Sequence, residues 1–287
     1  MCDENRMLEC GSYVFSRKDV CAVVISYNCE SIIVENVNSL LDQVAEVLII
    51  DNGSNEHAKK LLKTLECKRN CSVIYSCHNE GISKQLNNAT KILSEKEYKL
   101  ILTMDQDTVL EKNCVYHMIN VLNQDRKVVS VGPKRRKKKQ SKDYYYKDYL
   151  ITSGNLVKLD ILKEIGGYDE KLFIDMVDID ISLAIRQSGY RLAISNKAGM
   201  RHKVGEQEVR KWGGFEYTYL SHNPNRFYSI YHNLIYVTKK YYKKFPIFCI
   251  KLCVTHFCDF LKISLENNSQ EKYHQAKDGF MNGLKNK

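Results

Sequence analysis

The chain has 287 residues, 44% of them hydrophobic and 27% charged, which suits a soluble globular protein with one large α/β domain and a smaller appendage. No run of about 18 apolar residues occurs, so no transmembrane helix is expected, and residues 1–19 are polar with no secretory apolar core. The net charge of +10 gathers in Lys134 to Lys139 and in Lys239, Lys240, Lys243 and Lys244, a balance that favours anionic partners.

Val20 to Ser26 is a short β-branched apolar run, the pattern of a buried parallel strand. A helix through Ile32, Ile33, Val37, Leu40 and Leu41 follows, then a strand from Glu46 to Ile50 that ends in the turn residues Asp51-Asn52-Gly53-Ser54. A helix through Leu61, Leu62 and Leu65 leads to a third strand at Ser72 to Ser76. Gly81 to Leu93 reads as helix and Lys99 to Met104 as a fourth strand. Strands alternating with helices imply right-handed βαβ units and a mostly parallel, Rossmann-like sheet flanked by helices. A helix (Val109 to Leu122) and a strand (Lys127 to Val131) continue the pattern. The basic, tyrosine-rich Pro133 to Tyr149 reads as a surface loop. From Leu150 the chain resumes, with a helix ending at Gly166-Gly167, and from about Asn223 it is helical.

Eleven cysteines are present, with Cys21 inside an apolar strand and Cys249, Cys253 and Cys258 on a helix-like stretch. That placement reads as reduced thiols of a cytoplasmic protein. Cys67, Cys71, Cys77 and His78 include no Cys-x-x-Cys pair and read as ordinary residues, not a zinc site.

Four strand ends direct polar residues to one sheet edge: Ser26-Tyr27-Asn28, Asp51 to Ser54, His78-Asn79-Glu80-Gly81, and Asp105-Gln106-Asp107. Ligands bind at the carboxyl ends of strands in open α/β sheets. Two carboxylates closing an apolar strand are costly to desolvate unless they face water or a cation. A divalent ion carrying a phosphorylated ligand is the expected occupant. Asp51 is the candidate for the base or ribose of a nucleotide, with Gly53 allowing close backbone approach.

Phe173 to Gly189 reads as a turn entering an amphipathic helix, with Asp175, Asp178 and Asp180 crowding its start. The helix dipole favours anions there. Mutual repulsion of three acids raises the pKa of at least one toward that of a general base. Asp178 is the candidate, while capping and solvation account for Asp180 and Asp175.

The series VVISYN, LIIDNGS, NEGISKQLN, LTMDQDT, TSGNLVK, IGGYDEKLFIDMVDIDISLAIRQSGY and HNPNRFYSIYHN resembles family 2 glycosyltransferases over about residues 20–240, most closely their rhamnosyltransferase-like branch. FIDMVDID with SGY, read together with Asp-Gln-Asp, is the most specific part. The resemblance implies a GT-A fold. Its catalytic domain spans 20–222, with a nucleotide-binding half (20–108) and an acceptor-binding half (109–222). A short segment (1–19) precedes it and a helical region (223–287) follows. It further implies transfer of a sugar, with inversion, from a nucleotide donor using Mn²⁺ or Mg²⁺. The donor is dTDP-L-rhamnose or a UDP-sugar, and the acceptor a growing surface polysaccharide or lipid-linked glycan.

Position by position, Asp107 matches the metal-binding carboxylate and Asp105 the one near ribose and metal. Asp51 matches the base-contacting acid, Asn79 and Gly81 the loop beneath the nucleotide, and Asp178 the general base. His202 matches a further metal ligand. Arg226 matches an arginine in a His-x-Pro-x-Arg-x-Tyr pattern that supports the leaving diphosphate. Ser26, Tyr27, Asn28, Asn52, Ser54 and Gln106 complete the expected nucleotide-sugar site. Val177 stands where many relatives have Glu, as is usual in the rhamnosyltransferase-like branch. His232-Asn233 replaces the frequent Arg-Asn, which weakens a second cation there.

Phe245 to Leu265 is apolar but broken by Lys251, His256, Asp259 and Lys262. The segment fits an interfacial helix at the inner face of the cell membrane. It fits equally a helix packed on the core or on a second copy of the chain. A sugar nucleotidyltransferase, the more distant alternative, wants a Gly-rich basic loop after the first strand, and Ser26-Tyr27-Asn28-Cys29 provides none. A nucleic-acid partner is not expected, because it leaves the acidic strand ends unexplained.

Overall fold

The computed structural model describes residues 13–134, 142–202, 207–212, 215–220, 223–265 and 268–285, with the side chains of 202–222 and 265 outside that description. The first half runs β1 (Val20–Ser26), α1 (Ile32–Leu41), β2 (Glu46–Asp51), α2 (Glu56–Glu66), β3 (Cys71–Tyr75), α3 (Ile82–Glu95) and β4 (Leu100–Asp105). Strands β3, β2, β1 and β4 lie side by side and are all parallel, so their carboxyl ends share one edge. Alternation along β1 sends Cys21 and Val23 to one face and Val20, Ala22 and Val24 to the other. Both faces of β1, β2 and β4 are buried beneath helices, which is why these three read as nearly unbroken apolar runs, while the edge strand β3 is partly exposed.

The second half departs from simple alternation. After β4 come β5 (Thr108–Leu110), α4 (Cys114–Gln124), β6 (Val128–Lys134), β7 (Tyr144–Lys147), β8 (Asn155–Lys158), α5 (Leu159–Glu164), α6 (Val177–Gln187) and β9 (Arg191–His202). Strand β8 inserts antiparallel between β4 and β6, giving the order β3-β2-β1-β4-β8-β6-β9-β5 with β7 on β9. The helix expected from Val109 starts at Cys114, because Thr108–Leu110 pairs with β9. The segment expected as a loop from Pro133 to Tyr149 includes the end of β6 and all of β7, whose tyrosines pair antiparallel with β9. Aromatic residues favour that half-buried edge. The basic residues 135–139 lie outside the described residues.

A hairpin of β10 (Gln207–Trp212) and β11 (Phe215–Leu220) precedes three helices, α7 (Pro224–Tyr241), α8 (Pro246–Lys262) and α9 (Ser269–Lys285). Helix α7 reaches the core through Phe227, Tyr231, Leu234, Val237 and Tyr241. Lys240 on α7 bridges Asp169 and Asp180 at 2.7 Å each, and Tyr241 Oη donates to Asp180 O at 3.2 Å. Asp180 is buried and ion-paired, a different role from the capping expected of it. Among the described residues, no helix is long and apolar enough to cross a membrane.

Candidate active site

The edge at the ends of β1, β2 and β4 is built from three sets of contacts. In the first, Gln106 exchanges two hydrogen bonds with the Tyr27 backbone: Tyr27 N–H donates to Oε1 at 2.9 Å and Nε2 donates to Tyr27 O at 3.2 Å. Asn28 N–H donates to Ser54 Oγ at 2.8 Å and Asn55 N–H to Asn28 Oδ1 at 2.9 Å. Tyr27 is half exposed above this frame, while Ser26 is fully buried and accepts Asn52 N–H through its carbonyl at 2.7 Å.

The second set is an amide network beneath it. Asp51, also fully buried, receives Ser54 N–H at 3.3 Å on both oxygens. Asn52 Nδ2 donates to Asn79 Oδ1 at 2.8 Å, and Asn52 Oδ1 accepts Glu80 N–H at 2.9 Å and Gln85 Nε2 at 3.0 Å. Asn79 Oδ1 also takes Gly81 N–H at 3.0 Å. The close approach allowed by Gly53 is to this loop: at φ +78°, a Cβ would come within 2.6 Å of His78 Cα and 2.7 Å of Asn79 N. Gly53→Ala is therefore expected to destabilise the fold by roughly 2 kcal/mol or more. Thermal unfolding checks this, and an unchanged melting temperature would show that the two loops part freely.

The third set carries the charge. Asp105 and Asp107 leave β4 beside each other. The turn is fixed by Asp105 N–H donating to Ser153 Oγ at 3.0 Å, by Ser153 Oγ donating to Thr108 Oγ1 at 2.7 Å, and by Asn36 Nδ2 donating to Asp105 O at 2.9 Å. Burial and, after it, the nearby Asp107 push Asp105 up to about 6, with Arg226 opposing them. Asp178 sits in the first turn of α6, where its Oδ1 accepts Ile179 N–H at 2.9 Å. Burial pushes it up to about 6 as well, against the backbone N–H groups that favour the anion, with Asp105 and Asp175 adding repulsion. Asp105 of β4 and Asp178 and Asp175 of the α6 turn are thus within electrostatic reach of one another.

Asp178 is aimed by a turn under conformational load. Asp175 (φ +61°) and Met176 (φ +62°) are consecutive left-handed residues, neither of them glycine. Such positions persist only when their surroundings over-determine them. Helix α3 holds one side: Ile82 N–H donates to Phe173 O at 2.8 Å and Ser83 Oγ to Leu172 O at 2.6 Å. Gly81 abuts Phe173, so the amide loop and the acidic turn meet there. Helix α7 holds the other: Asn233 Nδ2 donates to Ile174 O at 2.7 Å, and Arg226 Nη2 pairs with Asp175 Oδ1 at 3.0 Å. Asn233→Ala is expected to relax this turn and lower turnover about tenfold, within the 1–3 kcal/mol range for one lost buried hydrogen bond. Nucleotide affinity should hold. Initial rates beside a binding isotherm separate the two effects.

His202 closes β9 opposite Thr108 in the backbone register, but its side chain lies outside the described residues. Among the described residues, no group of three or more His, Cys, Asp or Glu side chains is arranged to hold a metal ion. Ser153, Asn36 and Asn233 were not legible as site residues. Asn36 left a trace, as a polar residue at helical spacing from Ile33 and Leu40 on a buried face.

Residues 21–189 match the model of Glycosyl transferase family 2, more than half of the chain. The chain belongs to that family. A dTDP-rhamnosyl transferase, RfbF of Shigella flexneri, is 24% identical over 221 residues, covering 68% of this chain and 72% of the relative. A poly-β-1,6-N-acetyl-D-glucosamine synthase of Staphylococcus aureus is 26% identical over 105 residues, but these cover only 36% of this chain and 25% of the synthase. Solved structures share the fold. GalNAc-T7 with UDP, GalNAc and Mn²⁺ superposes with a TM-score of 0.62 at 14% identity, covering 93% of this chain and 56% of that one. The mannosyltransferase PcManGT of Pyrobaculum calidifontis, in complex with GDP-Man and Mn²⁺, gives 0.59 at 15% identity, over 94% and 76%. The GT-A architecture expected from the motifs is met, and the chain is a glycosyltransferase.

Proposed function

We propose that this glycosyltransferase moves L-rhamnose from dTDP-L-rhamnose to a hydroxyl of a growing surface polysaccharide or lipid-linked glycan, with inversion and with the help of a divalent ion. The observation that carries the reaction type is the placement of Asp178, half-buried in the first turn of α6 just beyond the left-handed Asp175–Met176 pair and within electrostatic reach of Asp105. Similarity to the Shigella rhamnosyl transferase supports the donor.

The donor set at the β4 exit fits a hard divalent cation. Asp105 and Asp107 offer only oxygen ligands, and Mg²⁺ or Mn²⁺ is commonly held by one or two carboxylates, with substrate phosphates and water filling the remaining positions. Bound there, such an ion would offset charge developing on the leaving diphosphate. The chain's own residues perform the rest. The β2 and β3 loops, with Asp51, Asn52 and Asn79, form the floor for the nucleoside, and Tyr27 its exposed flank. Asp178 accepts the proton of the acceptor hydroxyl as that oxygen attacks the anomeric carbon from the face opposite the diphosphate. The C–O bond to the diphosphate breaks as the new glycosidic bond forms, and the configuration inverts. Arg226, half exposed and paired with Asp175, is positioned to add positive charge near Asp105.

A UDP-hexose donor is the second reading; the structurally similar GalNAc-T7 was solved with UDP. Thermal shifts and donor hydrolysis across dTDP-, UDP- and GDP-sugars decide between them. Stabilisation by dTDP-L-rhamnose above the others is expected, whereas stabilisation by UDP alone would rule out the rhamnosyl assignment.

A further inference from the structure

Helix α8 carries an apolar face that no part of the described chain covers. Ile247, Ile250, Val254, Phe257 and Leu261 are 55–70% exposed. Their spacing of three and four residues places them in one stripe along the helix. The opposite face is the packed one, with Cys249 buried and Phe248, Leu252, Cys253 and Phe260 set against the core. A single exposed leucine is unremarkable, but a continuous stripe marks an interaction surface.

The rim of the stripe identifies what would meet it. Lys251 lies on the exposed side of the same helix, and Lys243 and Lys244 precede it, all exposed; Lys262, also exposed, pairs with Asp259 at 2.8 Å. Lys239 and Lys240 are committed elsewhere: Lys239 Nζ caps the end of α9 through Gly283 O and Leu284 O, and Lys240 serves the Asp169 and Asp180 pair. Two tyrosines flank the start of the helix, Tyr242 (50% exposed) and Tyr149 (43%), the latter in ring contact with Phe248. Apolar stripe, lysine border and tyrosine flank together fit the boundary between acyl chains and anionic headgroups. A second copy is the poorer complement, since it would bring two lysine borders together on chains that each carry a charge of +10.

We infer that α8 lies shallowly in an anionic lipid surface, its stripe of Ile247, Ile250, Val254, Phe257 and Leu261 entering the acyl boundary while the neighbouring lysines meet the headgroups. The packed face of this helix adjoins the catalytic turn. Tyr231 of α7 donates to His256 O at 3.0 Å, and His256 falls within electrostatic reach of Asp175. Docking would therefore bring the side of the molecule that carries Asp175 toward the lipid surface, with α8 between them. An acceptor hydroxyl on a lipid-linked glycan would then be met close to its anchor. This last step rests on the proposed function, but the docking itself does not.

Flotation of the full chain with phosphatidylcholine vesicles, with and without phosphatidylglycerol, tests the surface. The wild-type chain is expected to float with the anionic vesicles only. Replacing Ile250, Val254 and Phe257 by Asp is expected to lower that binding by about tenfold or more and to leave the melting temperature and the response to nucleotide unchanged. Exchanging Lys243, Lys244 and Lys251 for Glu should abolish the preference for phosphatidylglycerol in the same assay. Binding that survives the triple Asp variant overturns the inference. So does a wild-type chain that stays off both vesicles, whether it sediments as a dimer that the triple variant dissociates or as a monomer throughout. Because nucleotide binding is measured separately, failure of the docking surface and failure of the glycosyltransferase mechanism give different results.

Discussion

Asp178→Asn is expected to retain nucleotide binding and to lose sugar transfer by roughly 10²–10⁴-fold, the usual contribution of a positioned general base. The substitution keeps the shape of the side chain and its bond from Ile179 N–H, so the loss would report proton transfer and not a collapsed turn. The pH dependence gives an independent readout. A base must be unprotonated to act, and burial followed by repulsion from Asp105 and Asp175 pushes Asp178 up to about 6. Turnover should rise with pH through that value and level off above it, and this acid limb should vanish from any residual activity of the variant. Stability should move the other way. A carboxyl whose folded pKa lies above its unfolded value binds its proton more tightly when folded, so its contribution to stability declines as pH rises from about 4 to about 6 and stays low above that. In metal-free protein at pH 7, Asp178→Asn removes this cost, on the order of 2 kcal/mol, and should melt higher than the wild type. Full turnover by the variant would remove Asp178 from the mechanism.

Asp107→Ala is expected to weaken nucleoside diphosphate binding in the presence of Mn²⁺ or Mg²⁺ and to reduce transfer by at least about 10²-fold. A divalent ion on a departing diphosphate supplies several kcal/mol of charge stabilisation, and each 1.4 kcal/mol or so is worth a factor of ten. In metal-free protein the same change should lower the pKa of Asp105, because one of the two influences raising it is removed. Calorimetric titration of Mn²⁺ into wild type and variant, with dTDP present, measures the first effect. Carboxyl titration followed by NMR measures the second. Identical ion affinity in the two proteins would place any metal elsewhere and leave the acidic strand exit without its proposed role.

The parallel half of the sheet was legible because three of its four strands, β1, β2 and β4, are buried on both faces, so burial itself writes the apolar run and the turn that ends it; β3, the edge strand, is partly exposed. Asp105, Asp107 and Asp178, the proposed site acids, stand out in the sequence because carboxylates at the edges of apolar elements break a pattern. The second half was harder to read. Strand β8 is only four residues long and runs against its neighbours, and β7 is a tyrosine edge whose partner lies about fifty residues further along the chain. Neither direction nor long-range pairing is encoded in local periodicity. Asn233 was hidden by its role: it acts through carbonyls at 174 and 175, and backbone acceptors have no residue identity to recognise. The left-handed pair Asp175–Met176 was equally silent, because the chain meets that geometry without the glycine that would have announced it.

The paired contacts between Gln106 and the Tyr27 backbone have a bearing on how donor choice can evolve. They rivet the loop proposed to flank the nucleoside to the loop that presents Asp105 and Asp107, the proposed ion ligands, so neither can drift without dragging its neighbour. Side chains on that rigid frame, such as the outward ring of Tyr27, can be exchanged while the reacting groups stay in register. Retuning which base is accepted should then require few replacements, provided the amide at 106 survives.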